Sequence, residues 1–179
     1  FLGSNLELEY VYRKVDITNE SSGNSIAELT NAERNRLDRN GAVHRASIGY
    51  LLEFGDNHKL RPQIGMNYDD LDGEAMANTG YNLQLTYLYN LDPVSLVLNG
   101  YFGQADYDKR NPVFGKTRED DLYGASAAVY YTNPWGWSLL GSQSARFFVT
   151  GAYGGADSNI DFYHQQVALG FVGMASNWK

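Results

Sequence analysis

Three histidines, two aspartate doublets and scattered serines are the side chains here whose types could support acid–base or nucleophilic chemistry. A Ser–His–acid hydrolase would need His44 to reach Ser47. In an extended segment with a period of two these residues fall on opposite faces and cannot meet directly. A rim protease built on paired aspartates and an Asp–His couple could draw its residue types from Asp69–Asp70, Asp120–Asp121 and His164. In an acidic chain, solvated loops account for such doublets, so the reading is of a protein that is not an enzyme, with no catalytic residue assigned. Cysteine is absent, which removes disulfides, thiolate metal sites and a thiol nucleophile. There is no zinc-ligand spacing, Gly-rich phosphate loop or nucleotide fingerprint, and no cofactor is expected.

Charge narrows the partners. Asp16, Asp69, Asp70, Asp72, Glu74, Asp106, Asp108, Glu119, Asp120, Asp121, Asp157 and Asp161 gather at the ends of the apolar segments. Clustered carboxylates can bind Ca²⁺ or Mg²⁺. Asp69–Glu74 has a faint likeness to a calcium loop but lacks the EF-hand spacing. Divalent cations at this acidic rim, bridging to lipid phosphates, are therefore candidate partners, and no metal residue is assigned. Lys109, Arg110, Lys116 and Arg118 form a basic cluster that could meet lipopolysaccharide phosphates, or simply pair with Glu119, Asp120 and Asp121. A net charge of −7 and a pI near 4.8 make nucleic acid a poor partner.

The elements that must position these residues follow a rhythm. Stretches of alternating apolar and polar side chains are separated by turns rich in Gly, Asn, Asp and Pro. In Ala46–Phe54 the residues Ile48, Tyr50, Leu52 and Phe54 share one face, and Ser47, Gly49 and Glu53 the other. This is a strand period. Strands are predicted at about 5–17, 42–55, 59–69, 79–90, 94–107, 120–132, 145–156 and 162–175. Connections 18–41, 70–78 and 108–119 are long; Asp56–His58 and Leu91–Pro93 are short; 133–144 is intermediate and 157–161 short. No run of 18 or more apolar residues provides a membrane helix. Mean hydropathy is −0.43 although aromatics reach 14%, which suits a barrel whose strands turn only every second residue to lipid.

The fold expected is therefore all-β: one closed antiparallel up-and-down transmembrane β-barrel of eight strands, a single domain over residues 1–179. Its outward face would carry Leu6, Leu8, Tyr10 and Tyr12, then Ile48 to Phe54, and so on to Val167, Leu169 and Phe171 in the last strand. The lumen would be lined by Glu7, Glu9, Arg13, Arg45, Glu53, Arg61, Gln63, Asn67, Gln84, Asn99 and Arg146, with Gln166 and several glycines on the same face. Charges inside a narrow barrel require pairing or hydration. Tyr68, Tyr81, Tyr89, Tyr131, Trp135, Trp137, Tyr153 and Trp178 would form the membrane girdle. A soluble cup has the opposite polarity, apolar within. The charged residues on the polar face and the tyrosines ending the apolar one favour lipid outside. Within 18–41, Thr30 and Glu33 have capping-box spacing, so this loop holds a turn or two of helix and is either mobile or folded over the mouth as a lid.

Three segments sharpen the picture. Asn111-Pro112-Val113-Phe114-Gly115-Lys116-Thr117-Arg118-Glu119-Asp120-Asp121 leads into a strand, Asn133-Pro134-Trp135-Gly136-Trp137 turns, and Asp157-Ser158-Asn159-Ile160-Asp161-Phe162-Tyr163 opens the last strand. Over about residues 108–175 this arrangement resembles the closing strands of Gram-negative outer-membrane barrel proteins of uncharacterised families, and its R-x-D … D-S-N-I-x-F-Y pattern is similar to endings in barrels of surface lipoprotein assembly modifiers. The resemblance implies a bacterial outer-membrane location with both termini periplasmic, and lipids and lipopolysaccharide as surroundings. It carries no catalytic residue. The ending Ser176-Asn177-Trp178-Lys179 departs from the aromatic last residue of such barrels, which leaves open a trimmed chain or part of a larger barrel. No leader pattern opens the sequence at Phe1, so an exported protein would be in mature or trimmed form. The function expected is a narrow passive channel for small solutes or ions; a non-conducting barrel acting through its external loops is the alternative, and a rim lipid or peptide hydrolase ranks last.

Overall fold

The computed structural model describes residues 3–17, 29–132 and 144–177. Eight strands occupy nearly all of it: β1 (Gly3–Val15), β2 (Gly41–Phe54), β3 (His58–Leu71), β4 (Asn78–Leu91), β5 (Val94–Arg110), β6 (Thr117–Thr132), β7 (Ser144–Ser158) and β8 (Gln165–Asn177). They form one sheet in chain order, every ladder antiparallel and joining consecutive strands, with β1 and β8 at its ends. This is the expected all-β, up-and-down architecture. The connections alternate between a turn end, holding tight links such as Gly55–Asn57, and a loop end.

At the loop end, β5 and β6 run several residues further than the alternation implied, leaving only 111–116 between them. The last strand begins at Gln165 and not at residue 162, because Asp161–Tyr163 forms a short 3-10 helix. One turn of α-helix, α1 (Asn31–Asn35), lies in the first long connection. Thr30 caps it as its sequence predicts: the Thr30 hydroxyl accepts from Glu33 N–H, and the Glu33 carboxylate accepts from Thr30 N–H at 2.9 Å.

Register fixes which side chains share a face. Across the ladders Glu7, Gly49, Gln63, Gln84, Tyr101, Gly124, Gly154 and Val167 stand in one row. The neighbouring row, pointing the other way, is Leu8, Ile48, Ile64, Leu83, Phe102, Tyr123, Gly155 and Gln166. The first row belongs to the concave, more buried face and is mostly polar or small. The second is largely apolar and exposed; Leu8 is 74% exposed.

The last strand corrects the sequence reading. Val167, Leu169 and Phe171 pair with Gly154, Ala152 and Thr150 and so turn to the concave face, whereas Gln166 and Gly170 turn to the convex one. Both parities of β8 carry apolar residues, so alternation alone does not set its phase. The ladder to β7 does, by pairing Val149 with Val172 and Phe147 with Met174.

Candidate functional site: a polar concave face beneath a loop cap

Of the residues expected to line a lumen, all but Gln166 stand on one face: Glu7, Glu9 and Arg13 on β1, Arg45 and Glu53 on β2, Arg61, Gln63 and Asn67 on β3, Gln84 on β4, Asn99 on β5 and Arg146 on β7. Several reach one another across strands. Arg61 on β3 stretches over Gly49 of β2 to donate to Glu7 on β1 at 2.6 Å. Lys59, a cation the sequence reading passed over, pairs with Glu53 at 2.5 Å. Gln63 donates to Ser47, and Thr86, Asn99 and Ser126 form a chain across three strands. The Arg146 guanidinium lies 4.2 Å from the centre of the Tyr130 ring. Glu9, Arg13 and Arg45 share the face without a partner among the described residues. The charges of the two ion pairs, Arg61–Glu7 and Lys59–Glu53, are half-exposed rather than buried.

At the loop end the described parts of the loops are knitted into a cap. Residues 36–40 bond to 72–75: Asp72 N–H donates to Asn40 C=O, Gly73 N–H to Asp38 C=O and Ala75 N–H to Arg36 C=O. Gly73 is required there, since a Cβ would collide with the Asp38 backbone. Asp108 N–H donates to Ala77 C=O, and the Arg36 side chain donates to Arg110 C=O, which ties the first two loops to the third. Phe114 packs against Phe162 and Tyr163, and Asn111 donates to the Tyr163 hydroxyl, which ties the third to the fourth. Ala75, Ala77, Asn111 and Ile160 are buried in this cap.

Arg118 is its latch. The side chain projects from β6 to the concave face, donates to both carboxylate oxygens of Asp120 (2.9 and 2.6 Å), and lies between the Tyr163 ring at 3.6 Å and the Tyr107 ring at 4.6 Å. The Asn159 side chain donates to Thr117 C=O and accepts from Glu119 N–H, which holds the fourth loop against β6. The R-x-D … D-S-N-I-x-F-Y residues are thus one physical unit: ion pair, backbone clamp, buried Ile160 and stacking Tyr163. Sequence reasoning left Arg118 either to lipopolysaccharide phosphates or to pairing with Glu119, Asp120 and Asp121; the structure pairs it with Asp120, and its parity with Asp120 and Gly124 was the available signal for the inward direction.

The convex face ends in aromatic clusters. At the loop end His44 accepts or donates a 2.8 Å bond with Tyr10 and sits among Tyr12 and Tyr68. At the turn end His58 bonds Tyr87 at 2.8 Å and packs on Phe54 and Tyr89. Between them β2 presents only Ala46, Ile48, Tyr50 and Leu52, and β3 only Leu60, Pro62, Ile64 and Met66. Tyr68, Tyr81, Tyr89, Tyr131 and Tyr153 are all on this face. Trp135, Trp137 and Trp178 lie outside the described residues, as does 18–28 of the first loop. Beyond Phe102 and Tyr123 the convex face turns polar with Gln104, Asp106, Glu119 and Asp121.

The candidate catalytic groups do not assemble. Asp69 and Asp70 point to opposite faces, as do Asp120 and Asp121, so neither doublet forms a carboxylate pair. Asp120 is held by Arg118 and Asp121 accepts from Gln104. His164 does couple to Asp157, at 3.1 Å and in the open. His44 and Ser47 face opposite ways. Among the described residues no three His, Asp or Glu side chains come together as metal ligands.

These features define a class: an eight-stranded, antiparallel, β-barrel-like protein with a polar concave face and an apolar convex one. The chain belongs to the DUF2860 family, described as a protein of unknown function, whose sequence profile matches residues 1–177. No curated protein matches the chain, and no solved structure does.

Proposed function

We propose that this chain is an integral β-barrel of the bacterial outer membrane whose narrow lumen is held shut at the loop end in its resting form. The observation that carries the proposal is its inverted polarity: leucine, isoleucine, phenylalanine and tyrosine cover the exposed convex face while ion pairs and amides occupy the concave one. In water that arrangement exposes apolar surface along every strand. In lipid it is what a spanning barrel requires. The aromatic clusters support a spanning length. His44 and Phe54 are ten residues apart on β2. At about 3.3 Å per residue and a tilt near 40°, ten residues span about 25 Å along the membrane normal, the height of the apolar band of such barrels. Backbone groups in lipid must all be bonded internally, so β1 and β8, antiparallel as first and last of an even number, would close on each other. The loop end would then be external and the tight turns periplasmic.

The cap favours a closed barrel over the open passive channel. Loops bonded to one another at that end, with ion pairs on the inward face of an eight-strand barrel whose interior side chains nearly fill, support this reading. The test is to refold the chain into a planar bilayer. A heat-modifiable, inserted protein giving no steady current, with discrete steps on Arg118→Ala, is the expected result. Steps from the parent protein would establish the open channel instead, and failure to insert would reject the membrane barrel.

A further inference from the structure

A trough of about 300 Å³ is set into the concave face towards β8. Its floor is made of small residues on neighbouring strands: Gly124 and Ser126 from β6, Ala152 and Gly154 from β7. One wall is apolar: Val167 and Leu169 of β8, with Phe171 continuing the row, are 54%, 51% and 56% exposed on the concave side of this last strand of the sheet. The opposite wall carries Gln84 and Tyr101. Neither the Gln84 amide nor the Tyr101 hydroxyl has a hydrogen-bond partner among the described residues, whereas Asn99 beside them is committed to Thr86 and Ser126. No Lys, Arg, Asp, Glu or His lines the trough.

We infer that this trough is a binding site for a small neutral amphiphile, one with a short aliphatic or single-ring body and one hydroxyl, carbonyl or amide group. Each part of that description follows from the lining. The volume is at the small end of ligand pockets, about 300 Å³, and so admits one small molecule. The apolar wall gains by being covered, since Val167 and Leu169 otherwise face water within the barrel. The free amide and hydroxyl opposite supply donors and acceptors to orient a single polar group. The missing charges exclude anions and cations, which would lose hydration without a counter-ion, and exclude phospholipid headgroups for the same reason. The site depends on the barrel reading for its setting, but not on whether the lumen conducts.

The probe is 3-azioctanol, a photoreactive eight-carbon alcohol, applied to the folded protein in phosphatidylcholine vesicles, with labelled residues located by mass spectrometry. Octanol competes in parallel samples. Gly124→Phe fills the trough: a Cβ there meets only Tyr153 C=O at 3.6 Å and Gly154 Cα at 3.9 Å, so the ring enters free space without moving backbone. Ala152→Phe is a second filling variant should the first fail to fold. The inference expects labelling of Ala152, Val167 or Leu169 that octanol suppresses and that is lost in the folded filling variant, while labelling of outward Leu83 and Val149 persists. Labelling confined to outward residues would overturn the inference and leave the membrane barrel standing. Trough labelling unaffected by octanol or by the filling variant would overturn it as well.

Discussion

Replacing Arg118 with alanine would leave the Asp120 carboxylate, only 3% exposed, without its counter-ion and would remove the cation between two rings. Breaking a buried pair from one side costs about 3–5 kcal/mol. The Arg118 side chain is itself 16% exposed, which puts this pair at the lower end of that range. The ring contacts contribute about 0.5–2 kcal/mol more. With a net loss of about 4 kcal/mol, and about 1.4 kcal/mol per tenfold change, the open form of the cap becomes on the order of 1,000-fold more populated. Amide hydrogen exchange on the folded protein reads this locally. Segments 107–119 and 159–164 should exchange on the order of 1,000-fold faster in Arg118→Ala, with β2 to β4 unchanged. Arg118→Lys keeps the charge but loses the two-pronged bond and the flat stacking surface, and should fall between the two. Unchanged exchange in those segments would refute the latch. An equal rise through β2 to β4 would show that Arg118 supports the whole sheet rather than the cap.

Other perturbations test other parts of the account. Leu83→Arg places a charge on the convex face and should destabilise the inserted barrel by about 2–4 kcal/mol in urea titrations from vesicles, whereas Gln84→Arg, one residue on and facing in, should be tolerated. Gly73→Ala forces a methyl group into the Asp38 backbone and should free the 72–77 loop, read as protease cleavage there in the variant and not in the parent. The Glu33 carboxyl is held below its ordinary value of 4.5, chiefly by the backbone N–H of Thr30 and then by the Thr30 hydroxyl. A lowered pKa means that the capping contribution is fully present above pH 4.5 and is lost as pH falls through the folded value, so protection of the α1 amides, taken relative to their intrinsic exchange rate at each pH, should fall on acidification below about pH 4.5. Glu33→Gln should remove that pH dependence.

The eight strands and their faces were legible because a half-solvated strand writes its geometry as a period of two, and the turns carry Gly, Asn, Asp and Pro. The α1 cap was legible because Thr30 and Glu33 stand three apart. The phase of β8 was not: Val167, Leu169 and Phe171 alternate cleanly, yet Val172 and Met174 occupy the other parity, and only the pairing with Phe147 and Val149 decides between them. Nor was the cap. Its contacts link residues far apart in the chain, such as Arg36 with Arg110 and Arg118 with Tyr163, and no local pattern announces them. For Arg118 the sequence offered pairing with Asp120 as one of two readings, and that pairing is found; its inward direction was not legible, because it is set by belonging to β6.

The central claim is that the convex face meets lipid and the concave face meets water. It is tested most directly by nitroxide spin labels placed one at a time from Tyr81 to Tyr89 on β4 in vesicles, measuring relaxation by oxygen, which concentrates in lipid, and by a water-soluble nickel complex. The account predicts an alternation with oxygen exposure greatest at Leu83, Leu85 and Tyr87 and nickel exposure greatest at Asn82, Gln84 and Thr86. The opposite phase, or uniform access to nickel along the strand, would contradict it.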